Sequence, residues 1–175
     1  MHKAVSATAE IRPSRRLSRL PTWLPRRWAS PIGAMVLVLV ADQITKWQIR
    51  EWLGSDHSTG EWYIAGSWLG FDYVENTGAA FGTLTGLSNW LTVGALLAVV
   101  VLTVFYARLR NPSVLIQVAL GAVVGGAFGN IVDRVALGYV VDFVAVGPWP
   151  RFNVADSAVT VGILLLLWKL SKAET

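Results

Sequence analysis

Two carboxylates stand at the edge of strongly apolar sequence near the end of the chain: Asp142 in Gly138-Tyr-Val-Val-Asp142-Phe143, and Asp156 in Phe152-Asn-Val-Ala-Asp156-Ser157-Ala158. A charge beside hydrocarbon is costly and usually has a task. The Gly/Pro-containing stretch between the two acids can fold back, so both could share one site. Like charges held close do not both ionise easily, which leaves one carboxylic acid and one carboxylate. That pair can activate water and protonate a leaving amine, the chemistry of an aspartyl hydrolase. The competing reading of the pair is two solvated loop acids.

Other catalytic chemistries find less support. The sequence has no Cys, which removes thiol nucleophiles, disulfides and thiolate metal sites. Its two histidines, His2 and His57, lack partners at metal-binding spacing. Ser157 and Thr160 have no nearby His or Lys and no nucleophile elbow. The expected mechanism needs no metal or organic cofactor.

The elements that must position these acids are membrane helices. With 175 residues, 54% hydrophobic content, nine Trp and a mean hydropathy of +0.50, the chain is too apolar for an ordinary soluble domain of its size. Segments of spanning length run over about 31–49, 90–107, 114–132 and 154–170. The formal charge of +4 does not point to nucleic acid, because the basic residues flank apolar segments. Lys3, Arg12, Arg15, Arg16, Arg19, Arg26 and Arg27 precede the first segment, Arg108 and Arg110 follow the second, and Lys169 and Lys172 end the fourth. The positive-inside rule then places both termini in the cytoplasm and the two acids at the outer face.

This gives residues 1–30 as a basic cytoplasmic extension without order, 31–171 as one membrane domain, 51–87 as a long outer loop and 172–175 as a cytoplasmic tail. A cleavable signal peptide is the weaker reading of the N-terminus, because Leu39-Val40-Ala41 is a poor cleavage site and the helical pattern continues to Trp47. Aromatic, β-branched and Gly-punctuated residues over 61–74 suggest short strands at the membrane surface, an interfacial aromatic belt, or both.

Further polar residues surround the acids. Asp42 and Lys46 share a helix face, as an ion pair or as groups that orient substrate backbone. Asn76-Thr-Gly-Ala-Ala-Phe81 is a turn whose Asn76 also has hydrogen-bonding capacity. Gly121, Gly125 and Gly129 form a stripe that lets helices approach closely. Asn130, Asp133 and Arg134 follow on one face; Arg134 could pair with Asp133, hold a phospholipid phosphate or meet a substrate carbonyl. Asn153 stands where a helix N-cap would, three residues before Asp156, whose ionised form the helix dipole favours. That makes Asp156 the expected carboxylate and Asp142 the proton carrier.

Asp42-Gln-x-Thr-Lys46, Asn76-Thr-Gly-Ala-Ala-Phe81, Gly125-Gly-Ala-x-Gly-Asn130-x-x-Asp133-Arg134, Val140-Val-Asp142-Phe143 and Phe152-Asn-Val-Ala-Asp156, in this order, closely resemble bacterial lipoprotein signal peptidase (signal peptidase II). The resemblance covers about 33–170. It implies an aspartyl endopeptidase of the bacterial inner membrane that removes signal peptides from prolipoproteins, cutting just before a diacylglyceryl-modified Cys. It further implies Asp142 and Asp156 as the catalytic pair, and Asp42, Asn76, Asn130, Arg134 and Asn153 as residues that shape the site. The implied fold is an all-α membrane protein of four transmembrane helices with a small extracytoplasmic β-cradle and an interfacial helix. The expected partners are membrane-anchored prolipoproteins and the bilayer, and the expected state is a monomer. Phe128, where an aliphatic residue is common, and the Arg-rich extension depart from the family pattern. A proton-coupled transporter or relay built on membrane acids is the alternative function, and a non-catalytic assembly subunit a third.

Overall fold

A computed structural model describes residues 23–54, 61–66, 68–78 and 87–172. Its helices are α1 (Trp23–Leu53), α2 (Leu87–Arg108), α3 (Val114–Leu137) and α4 (Val154–Ser171), each long and apolar enough to cross a membrane. In hydrocarbon every backbone polar group must be satisfied within the protein, and helices do this segment by segment. Leu37, Leu97, Val101, Leu164 and Leu167 face outward, as lipid contact requires.

Helix α3 is the hub: 44% of its spanning window is buried, against 11% in each of the other three. Its glycines explain this position. A Cβ on Gly125 would come within 2.5 Å of the Met35 carbonyl oxygen on α1, and one on Gly126 within 2.5 Å of the Ala155 carbonyl oxygen on α4. Small residues therefore pack α3 in two directions at once.

Helix α1 starts at Trp23, inside the stretch expected to be an extension; of that stretch only residues 1–22 lie outside the described residues. Pro31 sits within α1 and has no N–H to give the Arg27 carbonyl one turn earlier. The Tyr106 hydroxyl of α2 donates to that carbonyl at 2.6 Å, so the helix continues through the proline with its backbone satisfied.

Strands β1 (Glu61–Ala65), β2 (Leu69–Asn76) and β3 (Val140–Val146) form one antiparallel sheet in the order β1-β2-β3. The first two lie in the long connection after α1, as the aromatic pattern suggested. The third corrects the reading of the 138–153 connection as a plain loop: Asp142 sits on a strand, opposite Val74. Gly138, in the left-handed region at φ 86°, closes α3 and turns the chain into β3. Ile49, Leu53, Val141 and Phe143 bury together, with Phe71 against them, and fasten the sheet to the end of α1. Trp52, Trp62, Trp68 and Trp149 stay exposed at this end, consistent with an interfacial belt. Loop segments 55–60 and 79–86, where the expected interfacial helix would fall, lie outside the described residues.

Candidate active site

Two clusters of acids meet where α1, α3, α4 and β3 converge. The first is centred on Lys46. Its Nζ lies 2.7 Å from Asp42, 3.0 Å from Asp133 and 2.9 Å from the side-chain oxygen of Asn130. Asp42 also accepts from the Ala155 N–H at 2.9 Å, and Asp133 from the Val141 N–H at 3.0 Å and the Gln43 amide at 3.0 Å. Asp42, Lys46 and Asp133 are all buried. Ions so deep persist only when paired and hydrogen-bonded, and here one cation serves two anions while their spare lone pairs tie α1 and α3 to α4 and β3. A Cβ on Gly129 would run into the Asp42 carboxylate, so the last glycine of the stripe makes room for a charge.

This answers the alternatives for Asp42 in favour of the ion pair. Asn130 and Asp133 both meet Lys46, Asn130 also reaches Asp156, and Arg134 lines a groove with Asn130 and Asp156 between α2, α3 and α4. The Arg134 guanidinium does not pair with Asp133, and among the described residues it makes no hydrogen bond or ion pair. Gln43 was missed: one residue from Asp42, it shows its role only once the rotation of α1 against α3 is known.

The second cluster has no ion pair among the described residues and is organised by asparagines. On β3, Asp142 accepts from the Asn76 amide at 2.8 Å and from the Asn153 amide at 2.7 Å. In the first turn of α4, Asp156 accepts from the Asn130 amide at 2.8 Å and from the Asn153 backbone N–H at 3.3 Å. Asn153 is fully buried and joins the two acids, its side chain holding one and its main chain the other. The same residue is the N-cap of α4, accepting from the Asp156 N–H at 2.8 Å in a reciprocal capping box. Capping and site building are thus one arrangement. Asn76 is likewise both things the sequence allowed: its oxygen accepts from the Gly78 N–H at 2.8 Å to make the turn, while its amide serves Asp142.

Burial raises the Asp142 carboxyl to about 6, and the nearby Asp156 charge raises it too, against the lowering effect of the Asn76 and Asn153 hydrogen bonds and of Lys46. A carboxyl in that range carries a proton at near-neutral pH far more often than an ordinary aspartate. The groove beside Asp156 has a volume of about 440 Å³. Its walls are apolar, including Ala98, Leu102, Val123 and Ile163, and its polar residues are Asn130, Arg134 and Asp156.

Fold and site together give a polytopic membrane protein in which Asn153 joins two carboxylates, Asp142 and Asp156, at one end of the bundle. The family model described as signal peptidase (SPase) II matches residues 34–172. The chain belongs to the signal peptidase II family. The lipoprotein signal peptidase of Moorella thermoacetica is 36% identical over 135 residues, covering 77% of this chain and 88% of the relative. That of Symbiobacterium thermophilum is 42% identical over 147 residues, covering 79% and 92%. Among solved structures, a bacterial membrane enzyme determined by the in meso method at 2.3 Å superposes with a TM-score of 0.73 at 30% identity, over 84% of this chain and 90% of that one. None of these similarities supports the transporter reading.

Proposed function

We propose that this chain cleaves the signal peptide from diacylglyceryl-modified prolipoproteins just before the lipidated Cys, with Asp142 and Asp156 as the catalytic pair. The observation that carries the assignment is Asn153, which grips both acids while neither forms an ion pair among the described residues. Asp156, at the positive end of α4 and served by two N–H donors, takes the role of the carboxylate that removes a proton from water. Asp142, with its raised pKa, carries the proton that hydrogen-bonds the scissile carbonyl and then passes to the leaving nitrogen. The proton is a property of the pair, so the two roles alternate over a turnover.

Asn130, Asn76 and Asn153 position the acids, and the Asp42–Lys46–Asp133 cluster holds Asn130 and the ends of β3 and α4 in register. The Arg134 guanidinium, which makes no hydrogen bond or ion pair among the described residues, lies beside Asp156 and is suited to a substrate carbonyl. The apolar groove between α2, α3 and α4 accommodates an apolar signal segment arriving within the bilayer. The flanking basic residues support cytoplasmic termini in the bacterial inner membrane and a site that opens to the outer face.

The test is incubation of the purified protein in liposomes with a precursor in two forms, diacylglyceryl-modified and unmodified. Cleavage of the modified form alone, just before the Cys, supports the proposal. Equal cleavage of both forms, or of neither, overturns it.

A further inference from the structure

The end of the bundle remote from the aspartates contains a second site that peptide cleavage does not use. A cavity of about 740 Å³ lies at the turn from α2 to α3, lined by Arg27, Arg108, Arg110, Asn111 and Gln117 among others. The Nη2 of Arg27 donates to the Tyr106 and Leu109 carbonyls, capping the end of α2, and its guanidinium lies 5.0 Å from the centre of the Tyr106 ring. Its Nε–H is buried and meets no acceptor among the described residues. Arg108 and Arg110 are exposed and make no ion pair among the described residues.

Helix α3 begins at the same place, capped by Ser113, and the N–H groups of Val114 and Leu115 have no helical acceptor. No acid among the described residues lines this cavity. Asp42, the first described acid along α1, is fifteen residues from Arg27, or about 22 Å at the helical rise. The cavity therefore gathers cations and helix N–H groups around space that no acid among the described residues lines.

A second feature says what kind of anion fits. Next to this cavity, an apolar cleft of about 310 Å³ runs between α1, α2 and α3, lined by Trp28, Met35, Leu102, Val124 and Phe128 among others. Arg27 lines the cavity and stacks on Tyr106, which lines the cleft, so the two spaces adjoin through one residue pair. A cationic space continuing into an apolar slot matches an amphiphile; a free phosphate would have no use for the slot.

We propose that this end of the bundle is a binding site for an anionic phospholipid of the surrounding bilayer. The headgroup phosphate lies against Arg108, Arg110 and the start of α3, and an acyl chain occupies the cleft. A lipid held there links α1, α2 and α3 at the end opposite the active site and stabilises the folded protein by mass action.

The experiment uses the full chain in neutral detergent, offered phosphatidylglycerol and phosphatidylcholine at equal concentration, with bound lipid read by native mass spectrometry and melting temperature alongside. Phosphatidylglycerol is expected to be retained preferentially and to raise the melting temperature, with millimolar inorganic phosphate failing to displace it. The R108Q/R110Q pair should lose that preference by about tenfold or more, while R108K/R110K keeps it. Val124→Phe, which fills the cleft, should weaken retention with both arginines intact. Equal retention of the two lipids by the native protein overturns the proposal with no variant needed. So does displacement by inorganic phosphate, which would mark a free-anion site, or an unchanged preference in R108Q/R110Q.

Discussion

The two acid clusters at the top of the bundle have similar composition and opposite organisation. Asp42 and Asp133 share a lysine, whereas Asp142 and Asp156 share an asparagine. A lysine between two carboxylates fixes their charge and makes them structural, because proton exchange would break buried ion pairs. An asparagine satisfies hydrogen-bonding capacity without cancelling charge, so acids held this way remain free to exchange protons in the proposed mechanism. Asn130 touches both, accepting from Lys46 and donating to Asp156. It carries the rigidity of one cluster into the geometry of the other.

The contrast is broken most severely at Lys46. Lys46→Met leaves two buried carboxylates without their cation and should cost about 3–5 kcal/mol. A large fall in melting temperature in detergent checks this, and adding Asp42→Asn and Asp133→Asn should restore part of it. Asn153→Ala sharpens the contrast from the other side. Losing the cap should cost about 1 kcal/mol, whereas freeing Asp142 from its clamp should lower kcat by about 10²-fold with KM little changed.

Asn76→Ala is the finer probe. Asp142 must be protonated to donate, so kcat/KM should fall as pH rises through about 6 in the native protein. Removing the Asn76 amide, which favours the charged form, raises that pKa further and moves the alkaline limb to higher pH. The stability sign is the same: the native state holds more proton than the unfolded chain between the ordinary 3.8 and about 6, so stability declines as pH rises across that window. Least is expected of Arg151→Gln. Its 3.0 Å ion pair with Asp72 joins partly exposed groups outside both clusters, and a loss below about 1 kcal/mol with unaltered pH dependence is the outcome.

Much of this was legible in the residues. Hydropathy located the spans, because lipid imposes length and composition directly. The pairs Asp42–Lys46 and Asn153–Asp156 follow from helical spacing alone. What could not be read was how elements rotate against one another: that Asp133 faces Lys46 while the adjacent Arg134 faces the groove, that Gln43 joins them, and that Asn153 reaches back to Asp142. Strand β3 was hidden because Val140–Val146 is a short apolar run beside apolar helices, and its pairing partner β2 is more than sixty residues away. The early start of α1 was masked by Pro31 and Arg27: Tyr106 supplies the donor that Pro31 lacks, and the Arg27 guanidinium caps the end of α2.

The most direct measurement compares cleavage of a diacylglyceryl-modified precursor by the native protein, Asp142→Asn and Asp156→Asn, each shown by its melting curve to be folded. Both variants should retain the fold and lose cleavage by roughly 10³-fold or more, since neither half of the pair replaces the other. Near-native turnover by either folded variant would contradict the account.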